Sequence, residues 1–159
     1  MLLDPFTVTT DDEGYMATDT LGGARTRTRL IDTPSSVTVI TPKFLQDLGV
    51  TKSEDLLRYT TATESGGLYG NFSGMTSRGA GVTGAAEGER LANPQALNRA
   101  RGIGALDNTR NYLLSSIPWD GYNISRVEIA RGPNSFLFGV GSPSGISNVM
   151  TNNASYKDG

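Results

Sequence analysis

Two arginines, each followed by glycine, are the residues of this chain best suited to chemistry: Arg101-Gly102 and Arg131-Gly132-Pro133. A guanidinium is a planar fork that pairs two-pronged with a carboxylate, and the pair is strongest where water is excluded. The same residues also suit ordinary surface turns, and the sequence alone leaves both readings open. Other patterns carry less. Gly79 to Gly84 matches G-x-G-x-x-G, the turn that sets a dinucleotide pyrophosphate against a helix N-terminus. That chemistry needs a strand before the motif and a helix after it. Here Asn71 to Arg78 is polar and glycine-rich, and Pro94 limits any following helix. Gly139 to Gly145 lacks the Gly-Lys-Ser/Thr ending of a phosphate loop. Asp11, Asp12 and Glu13, and likewise Glu87 and Glu89, lie in polar stretches with nothing to desolvate them and raise a pKa for acid catalysis.

The chain has neither His nor Cys. Triad chemistry of the Ser-His-Asp kind, disulfides, Fe–S clusters and thiolate zinc sites are therefore excluded. A carboxylate-only or Lys-based enzyme stays conceivable on composition, although the expectation is of no enzyme, metal or cofactor. The positive charge comes from 11 Arg and 3 Lys, yet the formal net charge is −2, so no basic field points to nucleic acid. No stretch reaches the ~18–20 apolar residues of a spanning helix. Met1 to Phe6 has no basic region and no long apolar run, so it does not read as a signal peptide. Met1 either begins a cytoplasmic protein or stands where a leader has been removed.

Residues 1–29 read as an extended, mobile arm rich in Thr, Asp, Gly and Arg, with a short strand possible where Arg25, Arg27 and Arg29 alternate with Thr26, Thr28 and Leu30. A clear strand follows at Ser36 to Ile40, β-branched and bounded by Pro34 and Pro42. Thr41-Pro42 supplies an N-cap and a first-turn proline; Phe44, Leu45 and Leu48 form an apolar stripe, and Gly49 a left-handed stop. Thr51 and Glu54 have capping-box spacing ahead of Leu56 and Leu57, which predicts a second short helix. Ser65 to Gly104 reads as long glycine-rich loop or irregular sheet edge. Strands are expected at Asn111 to Ile117, at Ser125 to Arg131 and at Ile146 to Thr151. In the middle one, Val127 and Ile129 face one way and Arg126, Glu128 and Ala130 the other, the pattern of a half-buried strand. The pattern predicts an α+β fold: a small mixed β-sheet with short helices and long glycine-rich loops.

In this half of the chain a set of motifs resembles a known family. Arg101-Gly102-Ile103-Gly104, Ile124 to Pro133, Phe138-Gly139 and Ser144 to Thr151 look like the ordered signature of TonB-dependent receptor plugs, and Pro34 to Ile40 and Glu54 to Tyr59 match that family's opening strand and helix. The likeness spans residues 30–151. Ile103 replaces the family's usual aromatic, Ser144-Gly145 a double glycine, and Thr61-Ala62 a frequent Pro-Gly.

The resemblance implies a plug domain over residues 30–152, seated in a barrel of about 22 strands that this chain is too short to contain, with 153–159 as a stub towards it. It implies an outer-membrane location within that barrel, a soluble isolated chain, and TonB-coupled uptake of a small molecule or chelate. A free-standing soluble periplasmic interaction or ligand-binding module is the alternative. In the family the arginines of these motifs pair with barrel-wall glutamates, which assigns a lock to Arg101 and Arg131. With the barrel absent both would be solvated, and Arg131→Ala would cost within about half a kcal/mol. Leu2 to Val8 is similar to the TonB box, so Leu3, Asp4, Pro5, Phe6, Thr7 and Val8 are expected to add as a strand to the TonB C-terminal domain; a frayed terminus is the plainer reading. Substrate contacts are expected from loops carrying Arg90, Arg99, an Asp107–Arg110 turn (Asp107, Asn108, Arg110) and a Trp119–Tyr122 turn. Trp119 and Tyr122 could stack on a ligand face or serve as core or barrel anchors.

Overall fold

The computed structural model of the chain describes residues 14–23, 26–65, 98–133 and 142–154. In chain order its elements are β1 (Asp19–Thr20), β2 (Thr28–Arg29), a 3-10 turn (Leu30–Asp32), β3 (Ser36–Ile40), α1 (Pro42–Leu48), α2 (Ser53–Leu57) and β4 (Thr63–Ser65). After these come β5 (Asn98–Ala100), β6 (Gly104–Ala105), β7 (Asp107–Arg110), β8 (Leu113–Leu114), β9 (Arg126–Arg131) and β10 (Gly145–Met150). The main sheet has five strands in the order β3-β9-β10-β7-β8; β4-β5-β6 form a second sheet and β1-β2 a hairpin. The main sheet is mixed, because β10 runs antiparallel to β9 and parallel to β7. This is the small α+β architecture expected.

Local chemistry explains the helices. Thr41 caps α1 by accepting from the Phe44 N–H at 3.3 Å, Pro42 occupies the first turn, and Gly49 takes φ 64° to end it. The second helix starts one residue later than its capping-box pattern implies. Its cap is Lys52, with no side-chain hydrogen bond, and Glu54 and Asp55 favour the positive end of the helix dipole instead. Leu45, Leu56 and Leu57 then meet Ile40, Val127, Ile129 and Val149 from the sheet, with Trp119 and Ile124, in one core. Among the described residues, no helix is long and apolar enough to cross a membrane.

Three strand expectations are corrected. The Asp107–Arg110 turn is strand β7, with Ile146 to Val149 of β10 alongside it in parallel register. Its polar residues give no β signal; the pairing comes from a strand far along the chain. The strand expected from Asn111 to Ile117 shrinks to Leu113–Leu114, because Asn111 and Tyr112 take φ 51° and 63° and turn the chain back on β7. Two consecutive left-handed residues are the signature of a type I′ hairpin. Strand β9, expected to be half-buried, is buried on both faces. What covers its polar face is the N-terminal segment.

Residues 14–23 and 26–29 fall within the stretch read as a mobile arm. In the structure they pack on the domain. Thr41 Oγ1 donates to the Gly14 carbonyl at 2.6 Å, the Tyr15 ring meets Phe44 edge-on at 5.9 Å, and Tyr15 Oη donates to Asp47. β1 and β2 pair antiparallel, Asp19 with Arg29 and Thr20 with Thr28. The composition that suggests disorder also supplies the hydroxyls and charges that dock this hairpin.

Gly145, at φ 123°, is required sterically. A β-carbon there would lie 2.1 Å from the Ala130 carbonyl oxygen. That close approach lets β10 run beside β9 from its first residue.

Candidate functional site

The alternation of β9 sets Val127, Ile129 and Arg131 on one face, and the first two are in the core. Arg131 follows them inward: only 9% of it is exposed. The expectation of a solvated Arg131 is therefore corrected. Its cross-strand neighbours are Ser36 and Gly145, small enough to admit a long side chain. Nη1 donates to Thr38 Oγ1 at 2.8 Å, but Nε and Nη2 have no hydrogen-bond partner. No carboxylate forms an ion pair with it among the described residues. Burial pulls its pKa below the ordinary value, since desolvation disfavours the charged form.

Arg101 approaches the glycine after Arg131 from another sheet. It follows β5 in a tight turn, with Arg101 at φ 58° and Gly102 at φ 65°, and its N–H donates to the Ala62 carbonyl at 2.9 Å. The residue is exposed, yet its Nη1 reaches Gly132, where an added β-carbon would sit 3.4 Å from it. Arg131 is thus buried and two donors short, while Arg101, at the surface, reaches the glycine that follows it in sequence. Such an arrangement accepts carboxylate oxygens: each unused N–H is a charge-assisted donor waiting for an anion. The sequence singled out both arginines but could not show that one is buried and the other exposed.

The other expected contacts fare differently. Arg99 pairs with Glu64, its cross-strand neighbour. Asn108 and Arg110, on β7, line a shallow hollow with Ile117 and Trp119. Asp107 is half-buried at the start of that strand. Trp119 belongs to the core and Tyr122 is 90% exposed, so of the two alternatives for this turn, stacking on a ligand remains open to Tyr122 alone. Arg90, the segment Leu3 to Val8, Gly79 to Gly84, Gly139 to Gly141, Phe136 to Phe138 and the carboxylates Asp11, Asp12, Glu13, Glu87 and Glu89 lie outside the described residues. Among the described residues no cluster could hold a metal ion.

Sequence reasoning missed Glu128. It is 1% exposed, on the outer face of β9. Oε2 accepts from Thr20 Oγ1 at 2.9 Å and from Tyr112 Oη at 2.5 Å, and Oε1 accepts from the Leu21 N–H at 3.3 Å. Arg126 Nη1 lies 3.8 Å from Oε1 and 2.9 Å from Asp19 Oδ1, and Asp19 also pairs with Arg27. Burial, and then the Glu128 carboxylate, push the Tyr112 phenol far above its ordinary range, so it remains a donor. Partial burial pushes Asp19 up, but hydrogen bonds from Arg126 and Arg27 outweigh this and hold it below the ordinary value. The sequence signal was Arg126 and Glu128 two apart on one strand face, which reads equally well as a solvated pair.

Comparison with known proteins agrees with this picture. The family model described as the TonB-dependent receptor plug domain matches residues 29–146. The metal-pseudopaline receptor CntO of Pseudomonas aeruginosa is 31% identical over 158 residues, covering 94% of this chain and 20% of that protein. The ferrioxamine receptor of Yersinia enterocolitica is 31% identical over 136 residues, 84% of this chain and 17% of its own length. The chain therefore spans about a fifth of the curated relatives it matches. Among solved structures, the outer-membrane ferripyoverdine receptor of Pseudomonas aeruginosa superposes with a TM-score of 0.66 at 20% identity, covering 95% of this chain and 18% of that one. The alcaligin outer-membrane receptor of Bordetella pertussis gives 0.66 at 19% identity, with 94% and 24% covered. With a family model matching most of its length and a fold shared with these receptors, the chain belongs to the TonB-dependent receptor plug domains.

Proposed function

We propose that this chain gates an outer-membrane transporter, blocking its barrel and yielding to TonB to admit a metal chelate of the siderophore class. The observation that carries this reading is Arg131: a buried cation with Nε and Nη2 unanswered, followed by a glycine that Arg101 reaches. A buried charge without a counter-charge is costly, so its partners belong on a surface that meets this domain. Barrel-wall carboxylates fit, and Arg101 with Arg131 is the lock. The relatives named above are receptors for metal-pseudopaline and ferrioxamine, which supports a chelate as cargo. Asp107, Asn108, Arg110, Tyr122 and Arg90 are the residues we assign to it. Leu3 to Val8 is the TonB box, pairing as an added strand with the TonB C-terminal domain. The domain performs no catalysis in this reading. A free-standing periplasmic module finds no support among these relatives.

The test is uptake of ferric siderophore by cells carrying the barrel-bearing transporter. Deleting residues 3–8 should abolish uptake while leaving siderophore binding intact. Arg101→Ala with Arg131→Ala should admit large antibiotics without substrate. Unchanged uptake in the deletion would reject the coupling segment, and an unchanged permeability barrier in the double variant would reject the lock.

A further inference from the structure

We infer that the N-terminal hairpin is a releasable strap held through Glu128, and that Tyr112 is the positioning residue that keeps Glu128 turned towards it. Three features of the hairpin make it separable from the sheet. Its strands are two residues each, and an isolated two-stranded hairpin is marginal in water. Within 14–23 and 26–29 the buried residues are Thr20 and Gly22; no large apolar side chain of this segment enters the core. Its attachment to β9 is instead polar: Thr20 and the Leu21 N–H bond the two Glu128 oxygens, and Asp19 pairs with Arg126. Segments held by few apolar contacts open locally at low free energy while the core stays closed.

The same Oε2 accepts from Tyr112, which belongs to neither hairpin nor β9. Tyr112 sits in the β7–β8 turn at φ 63°, a conformation unfavourable for a bulky side chain. Asn148 Oδ1 secures it by accepting the Tyr112 N–H at 2.8 Å, and Asn111 beside it bonds Thr151. The phenol therefore arrives from a fixed direction and orients the carboxylate towards Thr20 and Leu21. Arg126 stands 3.8 Å from Oε1, near but outside hydrogen-bond contact. Without the phenol the carboxylate is free to turn to that guanidinium, giving up Thr20 and Leu21. A displacement of the β7–β8 turn is thereby read out as loosening of the strap on the other side of the carboxylate. Gly22 marks how closely the parts fit: a β-carbon there would meet Glu128 Oε2 and Thr20 Oγ1 at 3.2 Å and Tyr112 Oη at 3.6 Å.

Site-resolved amide hydrogen exchange on this chain tests the device, with the Leu21 and Gly22 N–H groups as reporters. Tyr112→Phe removes one hydrogen bond to a charged acceptor, and exchange at both reporters should rise about tenfold or more, with β9 and β10 amides unchanged. Gly22→Ala should loosen the same two amides by crowding the carboxylate directly. Reporters that remain protected in Tyr112→Phe while opening in Gly22→Ala would overturn the role of Tyr112. Uniform acceleration through β9 and β10 would overturn the strap, since the hairpin would then open only with the sheet.

Discussion

Arg131 combines full membership of the core face of β9 with two unsatisfied donors. Removing a buried charge that lacks a partner relieves its desolvation, and an apolar side chain of similar length fills the space. Arg131→Met should therefore leave this chain no less stable, and up to about 1–4 kcal/mol more stable, in urea unfolding. A loss of stability would show that the guanidinium has a counter-charge within the chain. Both arginines were legible because glycine follows each. At 132 it takes φ 99°, and at 102 it continues the left-handed turn. Glu128 was not legible, because its burial is imposed by Thr20 and Leu21, more than a hundred residues earlier. A strand pattern reports which side a residue faces, and nothing in it reports what covers that side.

Elements defined by local chemistry were readable: β3 from its β-branched run, α1 from Thr41, Pro42 and Gly49. Elements defined by a distant partner were not, as β7 and β1 show, although the alternation around Thr28 did mark β2. The hairpin also gives a pH dependence. Asp19 titrates below its ordinary 3.8 when folded because Arg126 and Arg27 bond the carboxylate. The unfolded chain thus takes up that proton first as acid is added. The stabilisation is present above the unfolded value and is lost as pH falls through the lower folded one. Its size for this half-exposed network is on the order of 1 kcal/mol or less. Exchange at the Leu21 amide should accelerate as pH falls below 3.8 beyond the intrinsic rate change, and Asp19→Asn should show the faster exchange already at neutral pH. If the variant matched the parent at neutral pH, the ion pairs would not be holding the hairpin.

For the whole molecule, the strand order matters more than any single contact. β10 lies between β9 and β7, and its removal separates the sheet into β3-β9 and β7-β8. A chain ending before Gly145 should accordingly show no cooperative unfolding transition by circular dichroism; a sharp transition would mean that the helices and β3-β9 suffice. β10 is also last in sequence among the strands described. Synthesis at about 5–20 residues per second separates the emergence of β3 from that of β10 by roughly 5–20 s. For most of that interval, until β9 emerges, Val37, Val39 and Ile40 have no strand to join. A nascent chain of this design cannot close its main sheet until the strand that joins the two halves appears.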